Sequence, residues 1–236
     1  ISGMFDPDDF VEFSARVRHE HGLRGYEWND FIGDKNNNGE NYLNENDLIW
    51  AKYPSDLEII KNNIKGIYIG NFFRWDPNMH AKLMQEKYDW RESQKPFQRT
   101  YRTFSNLDDK YENGIHDLLK FMKFGYGRAS DHASKDIRSG DMTREEGIKM
   151  VRKYDSVISS DLNHWLNYVG MDYNTFWKIA DTFRDPRVWW IENNLWWKDN
   201  IWGELSSYGP VYLTKDQINN FNKRQTKIFG KQISKI

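Results

Sequence analysis

A chain this polar can close a core only around its aromatic rings. Mean hydropathy is −0.90 and hydrophobic residues make up 38% of the 236, yet 11 Trp, 13 Tyr and 14 Phe are present. Each such ring buries ~150–250 Å², so one good-sized domain or two small ones remain feasible. The formal net charge of −1 supplies no overall field for nucleic acid or an anionic membrane. No cysteine is present, which removes disulfides, thiolate zinc sites and a cysteine nucleophile and fits a cytoplasmic location. No run of 18 apolar residues occurs, and the N-terminus does not read as a signal peptide. The chain opens Ile1-Ser2-Gly3 without an initiator methionine, and the expectation is a portion of a longer protein.

Local signals predict a mainly α fold. Residues 7–21 have an acidic first turn, with Phe10, Phe13 and Val17 at helical spacing, and Gly22 ends that helix. Residues 33–47 are a polar loop. Residues 66–71, GIYIGN, form a short apolar β run bounded by glycines, and such a strand needs partners. Asp76-Pro77 leads into a helix over 78–88, and 91–105 is basic and irregular. Helices follow over 107–123, 129–138, 143–154, 160–169, 172–184 and 214–229. Thr143 with Glu146 makes a capping box, with acids at the positive helix end. Gly140 and Gly170 act as helix stops. Residues 187–190 and 195–198 pair as a Trp-rich hairpin across Glu192-Asn193-Asn194. The expected organisation is a residual α/β part over 1–77 and a helical domain over 78–236.

The block from Asn106 to Asp155 is too dense in charge to be core, so it is the first place to look for chemistry. Over Gly127–Arg138 read as a helix, Arg128, Asp131, Lys135 and Arg138 share one face, while Ala129, Ala133 and Ile137 share another. Two arginines and a lysine in one stripe suit a polyphosphate. Asp131 is placed to orient an arginine or take a proton. His132 ordinarily titrates near neutrality and is a candidate acid or base. The competing reading is a solvated face held by Asp131–Lys135 pairing, worth a few tenths of a kcal/mol. Phe124-Gly125-Tyr126-Gly127 is either a turn where backbone approaches a ligand or a helix break. His116, Asp117, Asp108 and Asp109 lack a recognised ligand spacing, so no metal site is expected. No glycine-rich phosphate loop occurs anywhere.

Two further clusters carry polar or aromatic density. Asn71, Arg74 and Asp76 follow the expected strand, where ligands of open α/β sheets bind; Asp76 equally suits a helix N-cap before Pro77. Trp189, Trp190, Trp196, Trp197 and Trp202 fall in one short span. They are either sugar platforms or the core of the hairpin, and cross-strand aromatic packing accounts for them.

Three segments, GIYIGNFFRWDP, RTYRTFSNLDDKYENGIHDLLKFMKFGYGRASDHASKDIRSGDMTREEGIKMVRKYD and DTFRDPRVWWIENNLWWKDNIWGE, resemble the N-acetyl sugar amidotransferase family of lipopolysaccharide biosynthesis. The resemblance covers residues 60–210 and the middle segment is its most specific part. It implies the helical C-terminal portion of an α/β, Rossmann-like enzyme of the ATP-pyrophosphatase kind. The implied reaction uses ATP with Mg to convert the N-acetyl group of a nucleotide sugar to an acetamidino group. The implied partners are ammonia-supplying glutaminase and synthase-like subunits, together with an N-terminal portion. The Ser-Gly-Gly-type pyrophosphate loop of the family is not in this chain, so that portion is expected to carry the nucleotide cradle. On this resemblance Lys120, Lys123, Arg128 and Arg138 steady departing pyrophosphate, with Lys135 on the same phosphate-binding stripe. Asp131 and His132 orient groups or accept protons, and Asn71, Arg74 and Asp76 face the nucleotide sugar. The alternative function is a non-catalytic carbohydrate-binding or protein-interaction module built on the Trp-rich hairpin. Neither nucleic acid nor membrane is an expected partner.

Overall fold

The computed structural model of the protein describes residues 43–44, 46–49, 54–65, 72–104, 113–231 and 233. The helix expected over 7–21 and the strand over 66–71, with Asn71, lie outside them. The chain divides into two units, Ile1–Glu86 and Lys87–Ile236. The described residues are mainly α-helical with one small antiparallel sheet.

In the first unit, α1 (Asp56–Lys61) is an addition to the sequence reading. Ser55 and Glu58 form a reciprocal capping box that sets its start. The second helix, α2 (Pro77–Tyr88), whose last two residues fall past the unit boundary, begins where the Asp-Pro signal places it. Asp76 Oδ1 accepts the Met79 N–H at 3.0 Å, and Pro77 occupies a first-turn position where its missing donor costs nothing.

The second unit is built on α3 (Asn113–Phe124), α4 (Arg128–Ser139), α5 (Arg144–Tyr154), α6 (Leu162–Val169), α7 (Tyr173–Asp181) and α8 (Lys215–Phe229). Ile115, Leu118 and Met122 on one face of α3 pack on Leu162, Leu166, Phe176, Trp177 and Ala180. Phe121, one position before Met122, turns to a second cluster with Trp189, Trp196, Val211 and Phe221. Helix α3 thus joins two cores, and the second is almost wholly aromatic. The expected boundaries hold closely for α4 and α5. The Thr143–Glu146 box starts α5, and Gly140 ends α4 in the left-handed region at φ 83°. Gly147 lets α5 approach α4 closely, since a Cβ there would lie 2.8 Å from Ile137 Cδ1.

The sheet has three strands, not the two of a hairpin: β1 (Trp190–Glu192), β2 (Leu195–Asp199) and β3 (Leu205–Pro210), in the order β1-β2-β3. Asn193 and Asn194 both have positive φ, 50° and 58°, which a two-residue hairpin turn with the right twist requires. Trp190 pairs with Trp197 and Ile191 with Trp196. Residues 187–189, expected as strand, form a turn held by Val188 and Trp189 N–H groups on Asp185 O. Strand β3 was not legible because LSSYGP is polar and ends in turn residues. Along β2 the inward positions are Trp196 and Lys198, so period-2 geometry sends a lysine into the protein. Among the described residues no helix is long and apolar enough to cross a membrane.

Candidate functional site

The polar block is an internal electrostatic frame. Helix α4 starts at Gly127, which has no side chain to cap it. Asp155, at the end of α5, takes that role. Its carboxylate accepts the Gly127 N–H at 2.8 Å, the Ser130 N–H at 3.1 Å and the Ser130 hydroxyl at 2.6 Å. An anion at a helix N-terminus is favoured by the exposed N–H groups and the helix dipole. A side chain at Gly127 would crowd this approach, since a Cβ would sit 3.0 Å from Asp155 Oδ1 and 3.3 Å from Arg99 Nη2. The Phe124–Gly127 run is therefore a helix junction with a packing reason.

Arg99, fully buried, donates to the main-chain oxygens of Val157, Asp155 and Asp117. Burial pulls its pKa down to about 10 against the opposing pull of Asp155 and Asp117. Arg102 pairs with Asp136, which also accepts the Tyr101 hydroxyl. Burial and that carboxylate push the Tyr101 pKa up. The basic, irregular 91–105 segment thus sends two guanidinium groups inward, where α4 and its neighbours bind them.

The stripe expected on α4 is split by these demands. Arg128 is mostly buried and binds Asp117, with Nε 3.0 Å from each carboxylate oxygen and Nη2 2.9 Å from Oδ1. Asp131 pairs with Lys120 of α3, not with Lys135. Lys123 is exposed, with Nζ 5.1 Å from the Phe124 ring centre. Lys135 is exposed. Of the inward face, Ala129 and Ala133 are buried while Ile137 is half exposed. Arg74 is exposed and sits 3.7 Å from Asp76, whose carboxylate serves the α2 cap; hydrogen bonding by the Met79 N–H lowers the Asp76 pKa.

His132 is not a near-neutral acid or base. It is buried, its Nδ1 lies 2.7 Å from Thr100 Oγ1, and its pKa is pushed down to about 3. Burial is the main cause, followed by the positive charges of Arg102, Arg128, Lys135 and Lys120. The unfolded chain takes up this proton near pH 6.5 and the folded chain does not. The stability contribution of neutral His132 is therefore full above pH 6.5 and is lost as pH falls toward 3. A ¹H–¹⁵N NMR titration should find the His132 ring neutral throughout pH 5–8; a midpoint near 6.5 would contradict this environment.

Two concavities lie beside the frame. The first, about 480 Å³, runs between α4 and α5 over Ala133, Gly147 and Val151, with Arg138 and Arg144 among its lining residues. Arg138 Nη1 donates to Ser134 Oγ at 2.7 Å. Among the described residues neither arginine pairs with a carboxylate. The second, about 420 Å³, is enclosed by α3, the α3–α4 turn, α5 and the sheet, with Asp155, Arg184, Lys198, Asn200 and Tyr208 on its walls. Tyr126, Ser130, Val151 and Ile201 line both. Among the described residues no group of three or more His, Cys, Asp or Glu is placed to hold a metal ion.

Trp189, Trp190 and Trp196 are buried at 0%, 2% and 0% exposure, so they are core and offer no sugar platform. Arg184 lies between two of them, its Cζ 4.2 Å from the Trp189 ring centre and 4.8 Å from that of Trp196, and Nε binds Asp181 at 2.9 Å. Arg99, Arg102, Arg144, Asp155, Arg184 and Lys198 escaped the sequence reading. The one local signal was the phase of Lys198, two residues after Trp196 in a strand. No curated protein matches the chain. A family model described as LPS biosynthesis protein WbpG-like, C-terminal domain, matches residues 81–201, which holds the polar block, the Arg138–Arg144 cleft and the first two strands. With half of its length matched, the chain belongs to this family of lipopolysaccharide biosynthesis proteins.

Proposed function

We propose that the chain is the C-terminal part of an ATP-dependent amidotransferase that turns the N-acetyl group of a nucleotide sugar into an acetamidino group. Family membership supports the biosynthetic setting, and the observation that carries the chemistry is the unpaired Arg138–Arg144 pair on one cleft. An amide carbonyl is a poor electrophile. In the proposed reaction its oxygen attacks the α-phosphorus of ATP and pyrophosphate leaves. Ammonia then adds to the activated carbon, and AMP departs with loss of a proton to give the amidine.

Departing pyrophosphate needs preorganised positive charge, and planar guanidinium groups match its oxygens. Arg138 and Arg144 are available for that role because, among the described residues, no carboxylate pairs with them. Arg128 and Lys120 differ: each is already committed to an acid, so they hold the frame that places α4. Mg would accompany the triphosphate, the phosphate loop would come from an N-terminal portion, and glutaminase and synthase-like partners would deliver ammonia in the cytoplasm. The experiment is product analysis of the complete enzyme with ammonium salt and an N-acetylated sugar nucleotide. Mass spectrometry should show an amidine only when ATP is present, with AMP released in equal amount. Release of ADP, or an unaltered acetamido group, would refute the reaction.

A further inference from the structure

A lysine at an inward strand position needs an anion, and among the described residues Lys198 forms no ion pair. It is 7% exposed and donates to Asp199 O at 2.9 Å and Asn200 Oδ1 at 3.0 Å, both neutral acceptors. An ammonium has three donors, so one N–H is left. Asp155 and Asp199 act on it electrostatically without forming an ion pair, and burial lowers its pKa. Buried lysines are rare unless paired.

The other two cations on this 420 Å³ cavity are paired: Arg152 with Glu204 and Arg184 with Asp181. Asp155 receives the neutral donors that start α4, and its charge acts on Arg99 and Lys198 together. Arg184 nevertheless keeps one buried nitrogen, Nη1, without an acceptor. Among the described residues, the cavity therefore carries one buried ammonium outside any ion pair and one guanidinium nitrogen without an acceptor, both suited to an oxyanion. The remaining lining is amphipathic. Phe121, Tyr126 and Trp202 give ring surfaces, while Asn200, Ser206 and Tyr208 give hydroxyl and amide partners. The volume falls within the usual range for small-ligand sites.

We propose that this cavity binds a pyranose bearing an oxyanion, with the anion on Lys198 and the sugar ring against Tyr126. The assignment rests on the proposed sugar-directed function and names the part of the substrate that this domain holds. It places the sugar beside the Arg138–Arg144 cleft, across the shared wall of Tyr126 and Ile201.

Isothermal titration of the full chain with glucuronate, glucose 1-phosphate and neutral glucose tests it. At least one charged probe should bind saturably, and glucose at least tenfold more weakly. Preference for glucuronate identifies a carboxylate as the anion, and preference for glucose 1-phosphate identifies a phosphate. Lys198→Gln should weaken the charged probe at least tenfold. Tyr126→Ala, at a half-exposed position, should weaken it several-fold while leaving the melting temperature unchanged, which keeps the test valid if Lys198→Gln folds poorly. Absence of binding by both charged probes, or unchanged affinity in Tyr126→Ala, overturns the assignment. Binding without amidine formation by the complete enzyme would refute the reaction alone, and amidine formation without binding would refute this site alone.

Discussion

Asp155→Ala should lower the stability of the chain by about 3–5 kcal/mol, the range seen when one partner of a buried charged network is removed. The side chain is 3% exposed and satisfies two backbone N–H groups and one hydroxyl at the start of α4. Truncation leaves those donors buried without an acceptor, each an unsatisfied group costing ~1–3 kcal/mol before relaxation. It also leaves the Arg99 and Lys198 charges without the anion that acts on both. Urea denaturation reads the loss, and the melting temperature should fall by roughly 6–20 °C for a chain of this size. Asp155→Asn keeps the shape but cannot accept from all three donors, so its loss should be smaller, about 1–3 kcal/mol. A change below about 1 kcal/mol for the alanine variant would mean that α4 is held by something other than this cap.

Trp196→Ala should cost about 3–5 kcal/mol for a different reason, loss of packing. The indole is fully buried, edge-on to Phe221 with ring centres 5.1 Å apart and to Trp189 at 6.5 Å. It also forms one side of the slot that holds Arg184. Truncation removes a large part of the second, aromatic core and exposes that guanidinium to an empty space. Trp196→Phe keeps a ring and discards an indole N–H that has no partner, so about 1–2 kcal/mol is expected. Chemical denaturation of the two variants separates ring packing from the indole nitrogen; equal losses would show that the N–H, not the ring, matters.

What was legible in the sequence follows from how far apart the interacting residues are. Helix ends are local. The Thr143–Glu146 box and the Gly140 and Gly170 stops depend on neighbours within a few positions and read correctly, and the turn expected across Glu192-Asn193-Asn194 narrows to Asn193-Asn194 because Glu192 pairs in β1. The electrostatic frame is not local. Arg102 finds Asp136 34 positions away, and Arg99 reaches Asp155 56 positions away. No spacing rule connects them, so a segment read only as basic and irregular proved to send Arg99 and Arg102 into the interior. The α4 stripe shows the same limit. Helical periodicity placed Arg128 and Arg138 on one face, but Asp117 on α3 claims the first and leaves the second over a cleft. Arg144 was not singled out, and only the packing of α5 beside α4 brings it to the same cleft as Arg138. Lys198 is the instructive miss: its alternation with Trp196 was visible, but a charged residue at an inward phase invites rejection until the cavity is seen.

The central claim is that Arg138 and Arg144 steady departing pyrophosphate. The most direct measurement is ATP–pyrophosphate exchange by the complete enzyme with its acetamido sugar nucleotide and no ammonia. Exchange should depend on the sugar, and Arg138→Ala with Arg144→Ala should reduce it by about 100-fold or more, with the melting temperature unchanged because both side chains are exposed. Exchange at the wild-type rate in that double variant would contradict the account.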